Sequence, residues 1–528
     1  MTQDPDHIVI FDTTLRDGEQ ALHQSLSLRQ KLQIAEALEE LGVDVIEAGF
    51  PISSEGDFQS VKAIAGTLTR CVPCGLARAL EKDVDACGEA LKLAKRRRIH
   101  TFIATSDIHV RDKLRKDYGQ IRDMAVAAVK RATKYTDDVE FSCEDAGRTP
   151  LDELCRMVEA AIDAGATTIN IPDTVGYTLP DEFGGIIRHL RNTVPNIDKA
   201  VLSVHCHNDL GMATANSLTA VQNGARQIEC CMNGLGERAG NCSLEEVAAA
   251  IHLRREYLKG LKTGIDLSKI ARTANIVSKI TNEPIPAHKA IVGSNAFSHS
   301  SGIHQDGVLK NRETYEILTP ESVGFTGNVM HMTARSGRHM IKACLDQMGY
   351  PPGSYDLSAL YKRFLALADR KGQVYDYDLE ALLFTMRQEE DDEAFVLDQF
   401  NVVSGSGGVI PVASVRLFAG RRTRTESAYG NGPVDAILNT IVRLTGIKTK
   451  LLTYKIEANG EGRDALGRVN VTVEYDNRIF HGMGLSTDIL EASALAYINA
   501  VNAVVRHLRV QAARNGKTFK LPAIGTLL

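Results

Sequence analysis

The stretch that decides the fold lies almost at the N-terminus and reads Ile8-Val-Ile-Phe-Asp-Thr-Thr-Leu-Arg-Asp-Gly-Glu-Gln20. Its first four residues are apolar and need burial, so they predict a strand inside a sheet. This strand delivers the carboxylate of Asp12, the guanidinium of Arg16 and the carboxylate of Asp17 to one edge of the sheet. The cluster has the composition of half a metal site, and we expect the other half further along the chain.

A regular alternation of strand and helix patterns follows. Ser27-Leu-Arg-Gln30 resembles a capping box and opens a helical pattern that ends at Gly42, after which Val43 to Phe50 predicts a second strand. The later strand candidates share a spacing of about 30 residues and begin near Arg70, His100, Asp138, Thr167, Ala200 and Gln227. Eight such units predict an α/β protein with a closed (β/α)8 TIM barrel.

A doubly wound open sheet is the alternative to the barrel. It is disfavoured because no Gly-rich dinucleotide-binding turn follows the first strand. Polar side chains also follow nearly every predicted strand, and a barrel would bring all of them to one mouth, where active sites of this fold lie. These side chains include Asp12, Arg16, Glu47, Arg78, Thr105, Ser142, Glu144, Asp173, Thr174, His205, His207, Asn208 and Asn241.

His205-Cys-His207 is the strongest local signal for a metal. Residues two apart in a strand share a face, so both imidazoles can reach one ion while Asp12 supplies a hard oxygen from another strand. The loop from Gly234 to Asn241 can bring its carboxamide to the same ion, although glycine-rich turns are common without any function. Nitrogen and oxygen ligands without thiolate favour Mn²⁺, Mg²⁺, Co²⁺ or an open Zn²⁺ site.

The chain of 528 residues is too long for one hydrophobic core. Its strand alternation fades after the barrel, and strand-like sequence returns only near Phe400. We therefore expect a barrel over 1–267, a mostly helical accessory region over 268–391 and an α+β domain over 392–528.

Two glycine-bearing segments of the last domain resemble each other. Gly430-Asn-Gly-Pro-Val-Asp435 and Gly482-Met-Gly-Leu-Ser-Thr-Asp488 each follow a strand-like stretch and precede an amphipathic helix. They indicate a weak internal repeat whose helix N-termini could hold a carboxylate. The alternative is two unrelated glycine turns.

The segment from Phe297 to Gly307 is polar and contains two histidines. Its composition fits a surface loop. The functional alternative is a loop that lends His299 or His304 to the mouth of the barrel.

Composition excludes several classes of partner and location. A net charge of -5 on this length gives no footprint for nucleic acid or an anionic membrane. The polar first residues do not form a signal peptide, and no stretch approaches a membrane span. Ten scattered cysteines suit reduced thiols in a cytoplasm, and Cys71-Val-Pro-Cys74 has redox spacing but no accompanying second pair.

Three motifs together are similar to those of the DRE-TIM metallolyase superfamily. They are Asp12 to Gln20, His205-Cys-His-Asn-Asp-Leu-Gly211 and Gly234 to Asn241. Ser301 to Gly307 and Gly430 to Asp435 further resemble the branch of this superfamily that commits carbon to leucine. The resemblance runs essentially from end to end.

The resemblance implies a Claisen condensation of acetyl-CoA with 3-methyl-2-oxobutanoate, followed by thioester hydrolysis to 2-isopropylmalate and CoA. It implies a divalent metal, most often Mn²⁺, and activation by a monovalent cation. It also implies a cytoplasmic homodimer whose C-terminal domain binds leucine as a feedback inhibitor. The effector contacts would then be Gly430, Gly432, Asp435, Gly482, Gly484 and Asp488.

The resemblance also assigns roles at the barrel mouth. The implied metal ligands are Asp12, His205, His207 and Asn241. Arg16 would stabilise the developing alkoxide, with Asp17 and Gln20 as supporting contacts and Ser142 and Thr174 on the substrate carboxylate. Glu144 and His304 are both candidates for the base that makes the enolate, and the sequence does not choose between them.

Two other functions are alternatives for a chain with these motifs. A citramalate or homocitrate synthase would share these motifs, because one or two methylenes of substrate change binding by only about 1–3 kcal/mol. A leucine-binding regulatory protein with an inactive barrel is disfavoured, because such a barrel would not need Asp12, Arg16, His205, His207 and Asn241.

Overall fold

The structure is a computed structural model that describes residues 4–297, 311, 314–325, 332, 336–348, 350, 355–371, 374–375, 378–379, 382–383, 395–419, 422–459 and 466–514. The chain divides into two compact units. One consists of Met1–Ser298 and Glu316–Val329, and the other of His299–Tyr315 and Met330–Leu528. The three predicted domains, with boundaries at 1–267, 268–391 and 392–528, stay a prediction.

Eight parallel strands close into a barrel in the first unit, with β1 paired to β8, so the predicted TIM barrel is confirmed. The strands are β1 Val9–Asp12, β2 Val45–Glu47, β3 Val72–Arg78, β4 Arg98–Ala104, β5 Val139–Glu144, β6 Thr168–Asp173, β7 Val201–Cys206 and β8 Gln227–Cys230. The helices are α1 Leu28–Leu41, α2 Glu55–Thr67, α3 Glu81–Ala90, α4 Tyr118–Ala132, α5 Leu151–Ala164, α6 Pro180–Thr193, α7 Ala213–Gln222, α8 Leu244–Leu253 and α9 Ile270–Thr281.

The first helix shows how local signals set the barrel units. The Ser27 hydroxyl accepts from the Gln30 N–H, and the Gln30 side chain accepts from the Ser27 N–H. The predicted capping box is therefore present at the start of α1. Gly42 ends the helix in the left-handed region at φ 98°. Ile34 and Leu38 of this helix are fully buried in the hydrophobic core of the first unit.

Polar side chains fill the interior of the barrel. Arg98 of β4 donates through Nη1 to Glu140 of β5 at 2.9 Å and to Gln227 of β8 at 2.6 Å. β8 is not a neighbour of β4 or β5 in the sheet, so these side chains meet inside the barrel. Burial raises the pKa of Glu140 to about 7, although the charge of Arg98 opposes this shift.

The second unit contains two antiparallel three-stranded sheets, each followed by a helix. This topology agrees with the α+β domain and the internal repeat predicted from the sequence. The elements are α10 Arg338–Gln347, α11 Leu357–Lys371, β9 Val396–Val403, β10 Val412–Ala419, β11 Arg422–Tyr429, α12 Pro433–Thr445, β12 Lys450–Asn459, β13 Leu466–Tyr475, β14 Arg478–Ser486 and α13 Ile489–Arg514.

Both glycine-bearing segments lead into a helix, as predicted, but only the first of them follows its strand. Gly430 and Gly432 lie in the turn between β11 and α12. Gly482 and Gly484 lie within β14, and an added Cβ would be 2.0 Å from the carbonyl oxygens of Ala496 and Ala492 respectively. These two glycines therefore allow α13 to pack closely on the strand, which is a structural role.

The described part of the chain contains no helix with the length and apolar character that crossing a membrane requires. All ten cysteines are buried, and none is paired in a disulfide. Burial raises the pKa of both Cys71 and Cys74, so neither thiol has the thiolate character of a redox pair.

We predict that Gly482→Ala destabilises the second unit, because its new methyl group would overlap the backbone of α13. Overpacking of this kind costs about 1–3 kcal/mol. Thermal denaturation followed by circular dichroism measures the loss. The control is Gly432→Ala, whose Cβ would meet no atom within 4 Å. Equal stability of the two variants would contradict the packing role of Gly482.

Candidate metal site at the barrel mouth

Asp17, His205 and His207 converge at the C-terminal mouth of the barrel. Each offers one ligand atom, and these atoms lie within 4.8 Å of one another. The two Nε2 atoms are 3.3 Å apart, and Nε2 of His207 is 4.0 Å from Oδ2 of Asp17. All three side chains are buried. The pair of histidines predicted from their spacing is thus brought to one point.

A short turn after β1 presents Asp17 to the histidines. Thr14–Gly18 forms a π-helical turn, and the Thr13 hydroxyl accepts from the Asp17 N–H at 3.2 Å. The carboxylate of Asp12 stabilises the start of this turn by accepting from the N–H and the hydroxyl of Thr14, both at 2.9 Å.

Asp12 does not belong to the group of ligand atoms, contrary to the prediction from the sequence. Both of its carboxylate oxygens are engaged by Thr14 within its own loop. Burial raises the pKa of Asp12 to about 7, and the hydrogen bonds from Thr14 only partly offset this shift. In the structure, the carboxylate beside the histidines is therefore that of Asp17.

Asn241 is the fourth side chain at this point. Its Nδ2 donates to Oδ1 of Asp17 at 2.8 Å and to the carbonyl of Leu235 at 3.1 Å. Its Oδ1 is buried and has no hydrogen-bond partner among the described residues. Gly236 makes room for it, because an added Cβ there would lie 2.3 Å from Nδ2 of Asn241.

The charge states of these side chains are those of metal ligands. Burial lowers the pKa values of His205 and His207 to about 4, so both imidazoles are neutral near pH 7. Burial opposes ionisation of Asp17, but the charge of Arg16 outweighs it and holds the pKa of that carboxyl well below its usual range. Metal binding requires this combination of neutral imidazole and ionised carboxylate.

The donor set fits a divalent cation. It comprises two imidazole nitrogens, a carboxylate and the unpartnered amide oxygen of Asn241. A second group, formed by His100, Glu140 and Glu229, also lies within ligand distance. It does not fit a cation, because both ring nitrogens of His100 are already hydrogen-bonded.

Arg16 lies beside the site and is held by two carboxylates. Its Nε donates to Glu47 at 2.5 Å and its Nη1 to Asp17 at 2.8 Å. Among the described residues, no hydrogen-bond acceptor contacts its Nη2. The Nη2 group of this guanidinium, whose side chain is 12% exposed, is therefore free for a ligand.

His100 is a residue of this site that the motif analysis missed. Its Nδ1 lies 2.7 Å from Glu47 and its Nε2 lies 2.6 Å from the hydroxyl of Ser142. Burial lowers the pKa of His100, but the charge of Glu47 outweighs burial and raises it to about 9. Asn170 also donates to Ser142 at 2.8 Å. The alternation of Arg98 and His100 in an apolar strand was the signal for inward-facing polar residues.

The orientation of the Ser142 hydroxyl follows from these contacts. An imidazolium has only donors, so Ser142 accepts from both His100 and Asn170. Its own hydrogen must point elsewhere. Ser142 is therefore a directed hydrogen-bond donor inside the barrel.

The other predicted residues of the mouth are more exposed. Oε1 of Glu144 accepts from Nζ of Lys113 at 2.7 Å, and the Thr174 hydroxyl accepts from the Asp145 N–H at 2.9 Å. Gln20 is exposed and lines a cleft of about 620 Å³ together with Arg16. His304, predicted as a possible base, and His299 lie outside the described residues.

The acidic residues of the predicted effector site lie at two helix starts. Oδ2 of Asp435 accepts from the Asn431 N–H at 2.8 Å, and Oδ1 of Asp488 accepts from the Leu490 N–H at 2.8 Å. Both carboxylates thus stabilise the turn that leads into their helix.

A closed α/β barrel with neutral histidines, a carboxylate and a carboxamide at its mouth defines a metal-dependent barrel enzyme. Comparison of the sequence with known protein families identifies the kind of enzyme more closely. A family described as HMGL-like matches residues 7–277, the homocitrate synthase post-HMGL domain-like family matches 291–372, and the LeuA allosteric (dimerisation) domain matches 373–505. The chain belongs to the 2-isopropylmalate synthase family, as its curated relatives show.

The 2-isopropylmalate synthase of Campylobacter jejuni subsp. doylei is 62% identical over 504 residues, which cover 96% of this chain and 98% of the relative. That of Shewanella sp. strain MR-7 is 60% identical, covering 94% and 95%. Among solved structures, the HMG-CoA lyase of Pseudomonas aeruginosa is 19% identical with a TM-score of 0.46, covering 53% of this chain and 95% of that one.

We predict that the ion pair of His100 stabilises the fold in a pH-dependent manner. A pKa raised from 6.5 to about 9 corresponds to about 3 kcal/mol. Because the folded-state pKa is raised, this stability is present below about pH 6.5 and is lost as the pH rises through about 9. The stability difference between the unvaried chain and His100→Gln should therefore shrink by about 3 kcal/mol between about pH 6 and about pH 9.5.

Chemical denaturation followed by circular dichroism measures this difference, since the chain has no tryptophan. Ser142→Ala is the control, because it removes a hydrogen bond to His100 without removing a charge. Its effect on stability should not change in the same pH range. A pH-independent effect of His100→Gln would contradict a charged His100.

Proposed function

We propose that this chain condenses acetyl-CoA with 3-methyl-2-oxobutanoate and hydrolyses the thioester, giving 2-isopropylmalate and CoA. The observation that carries the proposal is the convergence of Asp17, His205 and His207 at the mouth of a barrel whose relatives are 2-isopropylmalate synthases. This reaction commits carbon to leucine. The cytoplasmic location that we expect for it stays a prediction.

The cofactor in this proposal is a divalent cation, with Mn²⁺ preferred and Mg²⁺, Co²⁺ or Zn²⁺ as alternatives. Asp17, His205, His207 and Asn241 would hold it, which replaces Asp12 by Asp17 in the ligand set. Bound there, the cation would act as a Lewis acid on the ketone of a 2-oxo acid. The requirement for a monovalent cation also stays a prediction.

The carboxylate of the 2-oxo acid binds to Ser142 in this proposal. Two donors already occupy the lone pairs of its hydroxyl, so its hydrogen is directed at an incoming acceptor. Thr174 supports the same role, because its hydroxyl accepts from a backbone N–H and keeps its own hydrogen free. Directed donors of this kind favour a carboxylate over a neutral group.

Arg16 stabilises the negative charge that forms on the ketone oxygen when the acetyl carbon attacks. Glu47 and Asp17 fix the guanidinium before the reaction begins, so it does not reorganise during the step. The free Nη2 is the donor for the developing alkoxide. Gln20 lines the adjacent cleft and would contact the acyl-CoA.

Glu144 is the base that removes the proton from the acetyl methyl group in this proposal. It lies at the end of β5, two residues from Ser142 and therefore on the same face of the strand. Nζ of Lys113 donates to its carboxylate at 2.7 Å and holds it at the barrel mouth. His304 is the second candidate for this step or for activation of the hydrolytic water.

We predict that the purified chain releases CoA fastest with 3-methyl-2-oxobutanoate, when acetyl-CoA is offered with this acid, pyruvate or 2-oxoglutarate. A chelator should abolish the release, and added Mn²⁺ should restore it. Preference for pyruvate or 2-oxoglutarate would instead indicate a citramalate or homocitrate synthase. No release with any acid would indicate an inactive barrel.

Asp17→Asn and Asp12→Asn form a matched pair that tests the ligand set. Loss of a residue that only orients a ligand costs 10–100-fold in metal affinity, so Asp17→Asn should weaken Mn²⁺ binding by about 100-fold or more. Asp12→Asn should retain it, because an amide oxygen can still accept from the Thr14 N–H. Mn²⁺ titration monitored by electron paramagnetic resonance measures both. The reverse order of affinities would restore Asp12 as the ligand.

The second unit is a regulatory domain in this proposal, and it binds leucine and a second copy of the chain. The match to the LeuA allosteric (dimerisation) domain supports both roles. Val403, Phe418 and Tyr429 also expose apolar surface on the sheet of β9 to β11. Asp435 and Asp488 are the remaining effector candidates, together with Gly430 and Gly432.

We predict that leucine inhibits CoA release and that Gly432→Val reduces this inhibition without altering the fold. Gly432 precedes α12 in extended backbone, and no atom lies within 4 Å of an added Cβ, so a valine fits and fills the space before the helix. Ser427→Ala in the same sheet is the control. Unchanged inhibition of the Gly432 variant would place the leucine site elsewhere.

A further inference from the structure

Glu229 lies inside the barrel, directly beside the metal site. The register of β7 and β8 pairs His205 with Glu229, so both side chains point inward from adjacent strands. Oε2 of Glu229 is 2.7 Å from Nδ1 of His205, and both residues are buried. No motif of the sequence drew attention to Glu229.

This contact determines which nitrogen of His205 carries the hydrogen. A histidine that binds a cation through Nε2 must carry its hydrogen on Nδ1, and Oε2 of Glu229 lies within hydrogen-bond distance to accept that hydrogen. A neutral imidazole has a single N–H, which leaves Nε2 with a free lone pair. Nε2 is the nitrogen that faces His207 and the rest of the ligand group.

The two histidines differ in this respect. Nδ1 of His207 is buried and has no hydrogen-bond partner among the described residues. Within that part of the chain, His205 is therefore the histidine of the pair whose tautomer and ring orientation are fixed by a protein carboxylate.

We infer that Glu229 is a positioning residue of the metal site, which holds His205 as the Nδ1–H tautomer and directs its Nε2 lone pair at the cation. The inference rests on the proposed function, since it needs His205 to be a metal ligand. Carboxylates that orient a ligating histidine typically contribute 10–100-fold to metal affinity. Glu229 itself does not contact the substrate in this role.

Glu229→Gln tests the inference with almost no change in side-chain volume. A glutamine amide can donate to Nδ1, which would place the hydrogen on Nε2 and remove the lone pair from the site. We expect the dissociation constant for Mn²⁺, measured by electron paramagnetic resonance on the full chain, to rise about 10–100-fold. Saturating Mn²⁺ should then recover CoA release, which it would not do if the variant had merely lost its fold.

Glu245→Gln is the matched control. Glu245 is an equally buried glutamate, but it accepts from the Asn233 N–H and lies beside Lys289, away from both histidines of the site. This variant should bind Mn²⁺ like the unvaried chain. Equal losses in both variants, or unchanged affinity in Glu229→Gln, would overturn the role of Glu229.

Failure of the proposed function can be distinguished from failure of this inference. If the unvaried chain binds Mn²⁺ but condenses none of the 2-oxo acids, the proposed reaction is wrong. The comparison with Glu229→Gln then still tests the metal site. If His205→Ala binds Mn²⁺ as tightly as the unvaried chain, His205 is not a ligand and the inference fails with it.

Discussion

The buried carboxylate of Glu47 is the interaction on which the site depends. One of its oxygens accepts from Arg16 and the other contacts His100, and the residue has no exposed surface. Burial alone would favour its neutral form, but these two cations lower the pKa of Glu47 to about 2. Removing one partner of such a buried pair costs about 3–5 kcal/mol, because a charge is left uncompensated.

The orientation of the reactive groups follows from this one carboxylate. Arg16 is fixed by Glu47 and in turn contacts Asp17, which carries the effect to the metal site. His100 is fixed by the same carboxylate and determines the direction of the Ser142 hydroxyl. A network of this kind stabilises the fold only when every member is satisfied. The barrel therefore places charge in its core, and Glu47 of β2 is compensated there by Arg16 of the loop after β1 and by His100 of β4.

Much of the fold and part of the site could be predicted from the sequence. The apolar strands, their spacing and the capping box before α1 are local signals, and they gave the closed barrel. The two histidines were predictable because residues two apart in a strand share a face. His100 and Glu229 were not, because their roles depend on which strands adjoin or face each other in the closed barrel. Gly482 resembled Gly430 in its sequence context, and only the structure shows that Gly482 lies within β14 whereas Gly430 lies in the turn before α12.

The sequence motif contains both Asp12 and Asp17 and does not show which carboxylate lies beside the histidines. The reason is physical. A carboxylate at the end of a barrel strand is close to the free N–H groups of the loop that follows, and it can accept from them before any ligand is present. Asp12 does so with Thr14, and Asp173 at the end of β6 accepts from Thr178 in the same manner. Strand-end carboxylates of this barrel thus stabilise the loops that follow them, and the loop after β1 presents Asp17 to the site. Both oxygens of Asp17 also accept hydrogen bonds, from Arg16 and Asn241, so it is position and not free oxygens that distinguishes the two carboxylates: Asp17 lies within ligand distance of both histidines, and Asp12 does not.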